Sequence, residues 1–129
     1  MFEKIEIFRM AQAMAVHAGA RQSLVAQNMA NADTPGYAAR DIKPFQALYE
    51  GGEASYAPRA TRAGHLFGET GAITFDPLVD TNTVSDPNGN SVSLETEMLK
   101  AVDVKRQHDR ALAIYKSSLG VLRSALGRR

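Results

Sequence analysis

The side chains able to do acid–base or metal chemistry are few and scattered. His17, His65 and His108 come with no HExxH pattern and no ligand-like spacing, so they are expected to pack or to be solvated rather than to hold a metal. The serines lie outside any G-x-S-x-G context, which removes a nucleophile elbow. Glu95 and Glu97 are two residues apart; on a helix they point in different directions and cannot share a proton. No glycine-rich phosphate loop opens a helix in a βαβ pattern. Arg59, Arg62, His65, Lys105 and Arg106 form a thin basic set without interleaved aromatics, and the net charge is only +1, so no nucleic-acid partner is expected. Without cysteine there is neither a disulfide nor thiolate chemistry. No catalytic residue, cofactor or metal site is expected, and a small enzyme would need a pocket with convergent polar groups that the sequence does not supply.

What remains is backbone chemistry, concentrated in residues 28–37, Asn-Met-Ala-Asn-Ala-Asp-Thr-Pro-Gly-Tyr. Asn31 and Asp33 suit a helix end, because their short side chains bond local backbone groups. Thr34 precedes proline and is pushed toward extended dihedrals, which stops a helix. Pro35 and Gly36 fit the two central positions of a type II turn, the second of which needs positive φ. Tyr37 follows as an anchor with an apolar ring and a polar tip. Such a cluster ends helices in many proteins; what it positions depends on the elements around it.

Two long helices flank it. Residues 2–32 carry eight alanines, giving high helix propensity. Phe8, Ala11, Ala15, Ala18, Gln22, Val25, Met29 and Ala32 follow 3-4 spacing, a narrow stripe suited to another helix. At 1.5 Å per residue this helix would be about 45 Å long, and it needs a partner to be stable in water. The fairly apolar run at residues 10–20 is read as helix, not as a cleavable signal, because Glu3 and Glu6 offset Lys4 and Arg9, and Gln12 and His17 interrupt it. No run of about 18 apolar residues is present to span a membrane.

A second helix is expected from about residue 93, with Ser93 as one candidate cap, to about 126. Leu94, Met98, Ala101, Lys105 and His108 continue into Leu112, Tyr115, Leu119, Leu122 and Leu126 in alternating 4-3 spacing, a coiled-coil seam with a polar interruption. Residues 42–49 fit a short extended or helical piece. Residues 50–91 hold six of the ten glycines and three of the five prolines and no sustained period. A stretch of this kind is expected to be either a binding loop or a segment disordered until bound. Within it, residues 72–75 suit a short strand, and Asp86-Pro87-Asn88-Gly89-Asn90 is a strong turn signal. The expected fold is mainly α: a single domain over 1–129, with a helix at 1–33, a corner and irregular middle at 34–91, and a helix at 92–127. The terminal helices pack as a coiled-coil-like hairpin with a thin core.

Ala30, Asn31, Thr34, Pro35, Gly36 and Tyr37 resemble, at the right spacing, the Ala-Asn-x-x-Thr-Pro-Gly-Tyr signature of the bacterial flagellar axial proteins: the rod, hook and hook-associated families. Arg40, Asp41 and Ile42 with Phe45 beyond them, and Gly89-Asn90-Ser91-Val92 before the second helix, are similar to the proximal-rod members. Asn88 stands where those proteins often carry an acidic residue. The resemblance implies a structural subunit, assembled helically through its terminal helices to transmit torque. It implies residence in the periplasmic rod of the basal body and type III export without a cleaved signal. It also implies as partners other rod proteins, further copies of the chain, and the membrane-ring, rod-adaptor and export-gate proteins. Asn28, Ala30, Asn31, Thr34, Pro35, Gly36, Tyr37, Arg40 and Asp41 are then expected to form the assembly motif, with Arg40 and Asp41 directed at a neighbouring subunit. Phe8, Ala15, Val25 and Met29 on one helix, and Leu112, Tyr115, Leu119, Leu122 and Leu126 on the other, are expected to form helix seams. A soluble helical-hairpin adaptor or export chaperone would share the helices but has no use for the corner.

Overall fold

The computed structural model describes residues 2–50 and 75–127. Two long helices dominate: α1, Phe2–Ala30, and α3, Leu94–Ala125. Between them lie β1 (Arg40–Asp41), the short helix α2 (Phe45–Glu50) and β2 (Leu78–Val79). The expected strand at 72–75 falls largely outside the described residues, as do Arg59, Arg62 and His65; Phe75 itself is not in a strand. The strands that do form are β1 and β2, paired antiparallel with Arg40 opposite Val79 and Asp41 opposite Leu78.

The helices run antiparallel. Phe8 near the start of α1 meets Tyr115 late in α3, ring centroids 5.2 Å apart and edge to face. At the other end, Asn28 of α1 bonds Glu97 in the first turn of α3. Ala11, Ala18 and Val25 are buried on α1, seven residues apart, and so are Glu97, Val104 and Ala111 on α3. Seven-residue spacing on both helices is coiled-coil packing, and alanines let the axes approach closely. This core is thin. Two valines contribute about 1.5–3 kcal/mol each, and the alanines less.

The inward row of α3 lies one position to the side of the 4-3 stripe read from the sequence. Val104 and Ala111 face α1, Lys105 and Leu112 face out, and Leu119 and Leu122 are half-buried. The reason is the polar group at the head of α3: once Glu97 must point at Asn28, every seventh residue after it follows. Leu112 and Tyr115 are then 41% and 42% exposed and Leu126 is 83% exposed within the single subunit. On α1, Val25 is buried, while Phe8, Ala15 and Met29 are half-buried.

Ser93 occupies the cap position of α3 but makes no side-chain cap bond. The backbone before it is fixed instead by Asn90, whose Oδ1 accepts from Val92 N–H at 2.8 Å. α2 lies over the side of the hairpin through Leu48, which is buried, and Phe45, which is half-buried.

Candidate functional site

The site is the corner where α1 ends, the chain turns, and α3 begins. The turn forms as its residue types require. Tyr37 N–H donates to Thr34 O at 3.3 Å, and Gly36 between them has φ +72°, as in a type II turn. A second turn packs against the first. Gly89 N–H donates to Asp86 O, and Asp86 N–H to Asn90 O, closing a three-residue loop that starts at Pro87 and ends at Gly89, whose φ is +83°. The two turns are joined by Gly36 N–H donating to Asn88 O at 3.0 Å. They lie so close that a Cβ on Gly89 would be 3.3 Å from Gly36 Cα.

Asn90 ties both turns to α1. It is buried, and its Nδ2 donates to Asn31 O at 2.9 Å and Thr34 O at 2.8 Å. It thereby joins the carbonyls just beyond the helix end, which also accept from Thr34 N–H and Tyr37 N–H, to the second turn. Ser91 fixes the next step: its N–H donates to Tyr37 O, and its Oγ accepts from Ala39 N–H at 2.8 Å.

Asn28 is the centre. It is completely buried and uses its full hydrogen-bonding capacity. Nδ2 donates to Arg40 O at 2.8 Å and to Glu97 Oε2 at 3.1 Å. Oδ1 accepts from Tyr37 O–H at 3.2 Å and from Arg40 N–H at 3.1 Å. One side chain therefore holds the end of α1, the strand after the turn, and the head of α3.

Behind Asn28 lies an ionic network. Lys100 Nζ reaches Glu97 at 3.2 Å, Asp80 at 2.9 Å and Asp41 at 3.4 Å. Arg21 grips Asp41 with two bonds of 2.8 and 2.9 Å, the bidentate geometry that guanidinium favours. Burial works to raise the pKa of Asp41, but the Arg21 bonds and charge, the Ile42 N–H and Lys100 outweigh it and hold it below the usual carboxylate range. The bond from Lys100 lowers Asp80 in the same way. Burial opposes the charge on Lys100, yet its bonds to Asp80 and Glu97 raise its pKa overall. Among the described residues, no buried side-chain polar atom lacks a partner, and no cluster of His, Asp or Glu is arranged to hold a metal ion. The three carboxyl groups are engaged with Lys100 and Arg21. This arrangement fixes geometry.

The motif residues divide by role. Asn28 and Tyr37 build the interior. Ala30, Thr34, Pro35, Gly36 and Arg40 are exposed, and Asn31 bonds locally, accepting from Thr34 Oγ1 at 3.2 Å. Asp41, expected to point at a neighbour with Arg40, has its carboxylate committed inside the subunit. Glu97, Asn90, Lys100, Arg21 and Asp80 were not singled out by the sequence for this role. Glu97 reads there as a dipole-complementing residue of a first helical turn. A turn signal covered Asn90, but nothing local says that its amide bonds the chain just past a helix nearly sixty residues away.

No protein-family model matches the chain. It is 34% identical over 119 residues to the flagellar basal body rod protein FlgB of Agrobacterium fabrum, an alignment that covers 89% of this chain and 88% of that protein. The corner, the hairpin it closes and this near-full-length similarity agree, and the chain belongs to the FlgB family of flagellar basal body rod proteins.

Proposed function

We propose that this chain is a subunit of the proximal rod, exported without a cleaved signal and assembled in the periplasm beside the membrane ring and the export gate. As a member of the FlgB family it is a structural component of the basal body. Its partners on this reading are other rod proteins, further copies of itself and the adaptor proteins at the rod base, with the terminal helices forming the inner layer that carries torque. The observation that carries this reading is the corner. Asn28 locks the direction in which the chain leaves α1, while Ala30, Thr34, Pro35, Gly36 and Arg40 are left on the surface for a neighbour to read. The outward leucines of α3 supply the apolar part of the same contact. An adaptor or chaperone would have no need of that display, and the relative is a rod protein.

Deleting the gene should abolish motility and leave basal bodies without a rod, and supplying the chain in trans should restore both. Basal bodies purified from the complemented strain should contain the chain in its rod fraction. Motile deletion cells with complete rods would sink the proposal.

A further inference from the structure

We infer that His17 is a proton-operated latch: neutral, it holds α2 and Phe75 against the hairpin, and protonated, it releases them. The inference stands whatever the subunit assembles with. His17 is completely buried on α1. Its Nε2 lies 2.8 Å from Lys43 O; a carbonyl only accepts, so Nε2 carries the proton. Its Nδ1 lies 2.9 Å from Gln107 Nε2 of α3, and the amide donates to it. A neutral ring is thus satisfied at both nitrogens. The ring also packs edge to face with Phe45 at 5.6 Å and Phe75 at 4.9 Å. One imidazole therefore joins both long helices to the residues on either side of the 51–74 segment.

A second proton has no prepared place. The new N–H at Nδ1 would face the Gln107 amide nitrogen, so that side chain would have to turn over. The charge would sit between two phenylalanine rings, away from water. The charged groups facing the ring are Arg21, one turn along α1, and Asp41 on β1. Asp41 is already engaged by Arg21 and Lys100. α3 offers Gln107 at the ring, with Asp103 one turn earlier acting on Arg21, and α2 offers Phe45. Burial lowers the pKa of His17; the Lys43 carbonyl works against that, Arg21 lowers it further and Asp41 opposes, leaving it below 6.5. The docked state therefore binds fewer protons than the released one, and docking weakens as pH falls below 6.5. α2 has little else to hold it: Leu48 is its single buried residue, and Tyr49 is exposed.

Hydrogen exchange on the full chain between about pH 7.5 and 5, corrected for intrinsic rates, reads the latch directly. Opening of residues 45–50 should rise up to about tenfold per pH unit below 6.5, until the folded-state pKa is reached. Amides at Val25 and Val104 should keep their protection. His17→Gln, which cannot take a proton, should remove the pH dependence. Gln107→Glu, which offers a carboxylate to the second N–H, should reverse it, so that α2 docks better in acid. Opening that stays constant to pH 5 in the unaltered chain would overturn the latch, as would an equal rise in His17→Gln or loss of Val25 and Val104 protection over the same range. Should His17→Gln not fold, ring titration by NMR decides: a His17 pKa at or above 6.5 in the intact chain overturns the proposal, and one below it supports it.

Discussion

At the scale of single residues, the corner depends on two glycines with different constraints. Gly36 has φ +72° but open space where a Cβ would project, whereas a Cβ on Gly89, at φ +83°, would press on Gly36 Cα at 3.3 Å. Gly36→Ala should therefore cost only the backbone strain, about 1–2 kcal/mol, and Gly36→Asn less, because asparagine tolerates positive φ. Gly89→Ala should cost more than Gly36→Ala, since the two turns must also separate; urea melts of the three variants give the order. The carboxylates behind the corner make a pH prediction. Asp41 and Asp80 have lowered pKa values, so their contribution is complete above the unfolded value of about 4 and is lost as pH falls through the folded values. Stability to urea should therefore fall progressively as pH drops below about 4. Asp41→Asn should be less stable at neutral pH and flatter in acid. Equal slopes in the two proteins would show that the Arg21 and Lys100 contacts contribute nothing.

At the scale of elements, both long helices, their approximate ends and the Pro35-Gly36 turn are legible from propensity and spacing, because those signals are local. The 11-18-25 row of α1 is legible from the same spacing, in which Gln22 is the polar interruption and is exposed. On α3 the 4-3 stripe is real in the sequence, yet the helix turns a different row inward. What decides its rotation is Glu97 meeting Asn28, a contact between residues 69 apart that no local period records. The Asn90 bonds and the Lys100 network were hidden for the same reason. The rotation gives a prediction that separates folding from assembly. Leu126 is 83% exposed, so Leu126→Asp should melt like the unaltered subunit but enter the rod poorly. Leu119 and Leu122 are half-buried, so replacing both by aspartate should lower stability by several kcal/mol and stop incorporation as well. Full incorporation of Leu126→Asp would place that face in solvent.

For the whole molecule, the polar corner is fully bonded while the hairpin leading away from it buries mainly alanine. Order should therefore be graded along the hairpin, firm where Asn28 meets Glu97 and weak toward residues 2–8 and 112–126. In dilute monomer, hydrogen exchange should be fast at those outer ends and slowest at Val25 and Ala39. Uniformly slow exchange would show that the subunit is complete without neighbours. Assembly would then supply the missing burial, stabilising the bound form by mass action.

If the Asn28-centred corner makes the hairpin competent to build the rod, a chain without that side chain should be left out of it. The deciding quantity is the amount of this chain in basal bodies purified from cells carrying Asn28→Ala, with the exported protein quantified alongside. The substitution removes the partners of Glu97 Oε2, the Tyr37 hydroxyl and the Arg40 N–H and carbonyl, and should destabilise the purified subunit by about 3 kcal/mol. The variant should be made and exported but be absent from basal bodies, leaving the cells non-motile. Basal bodies that hold the variant at the level of the unaltered chain, in cells that swim normally, would contradict it.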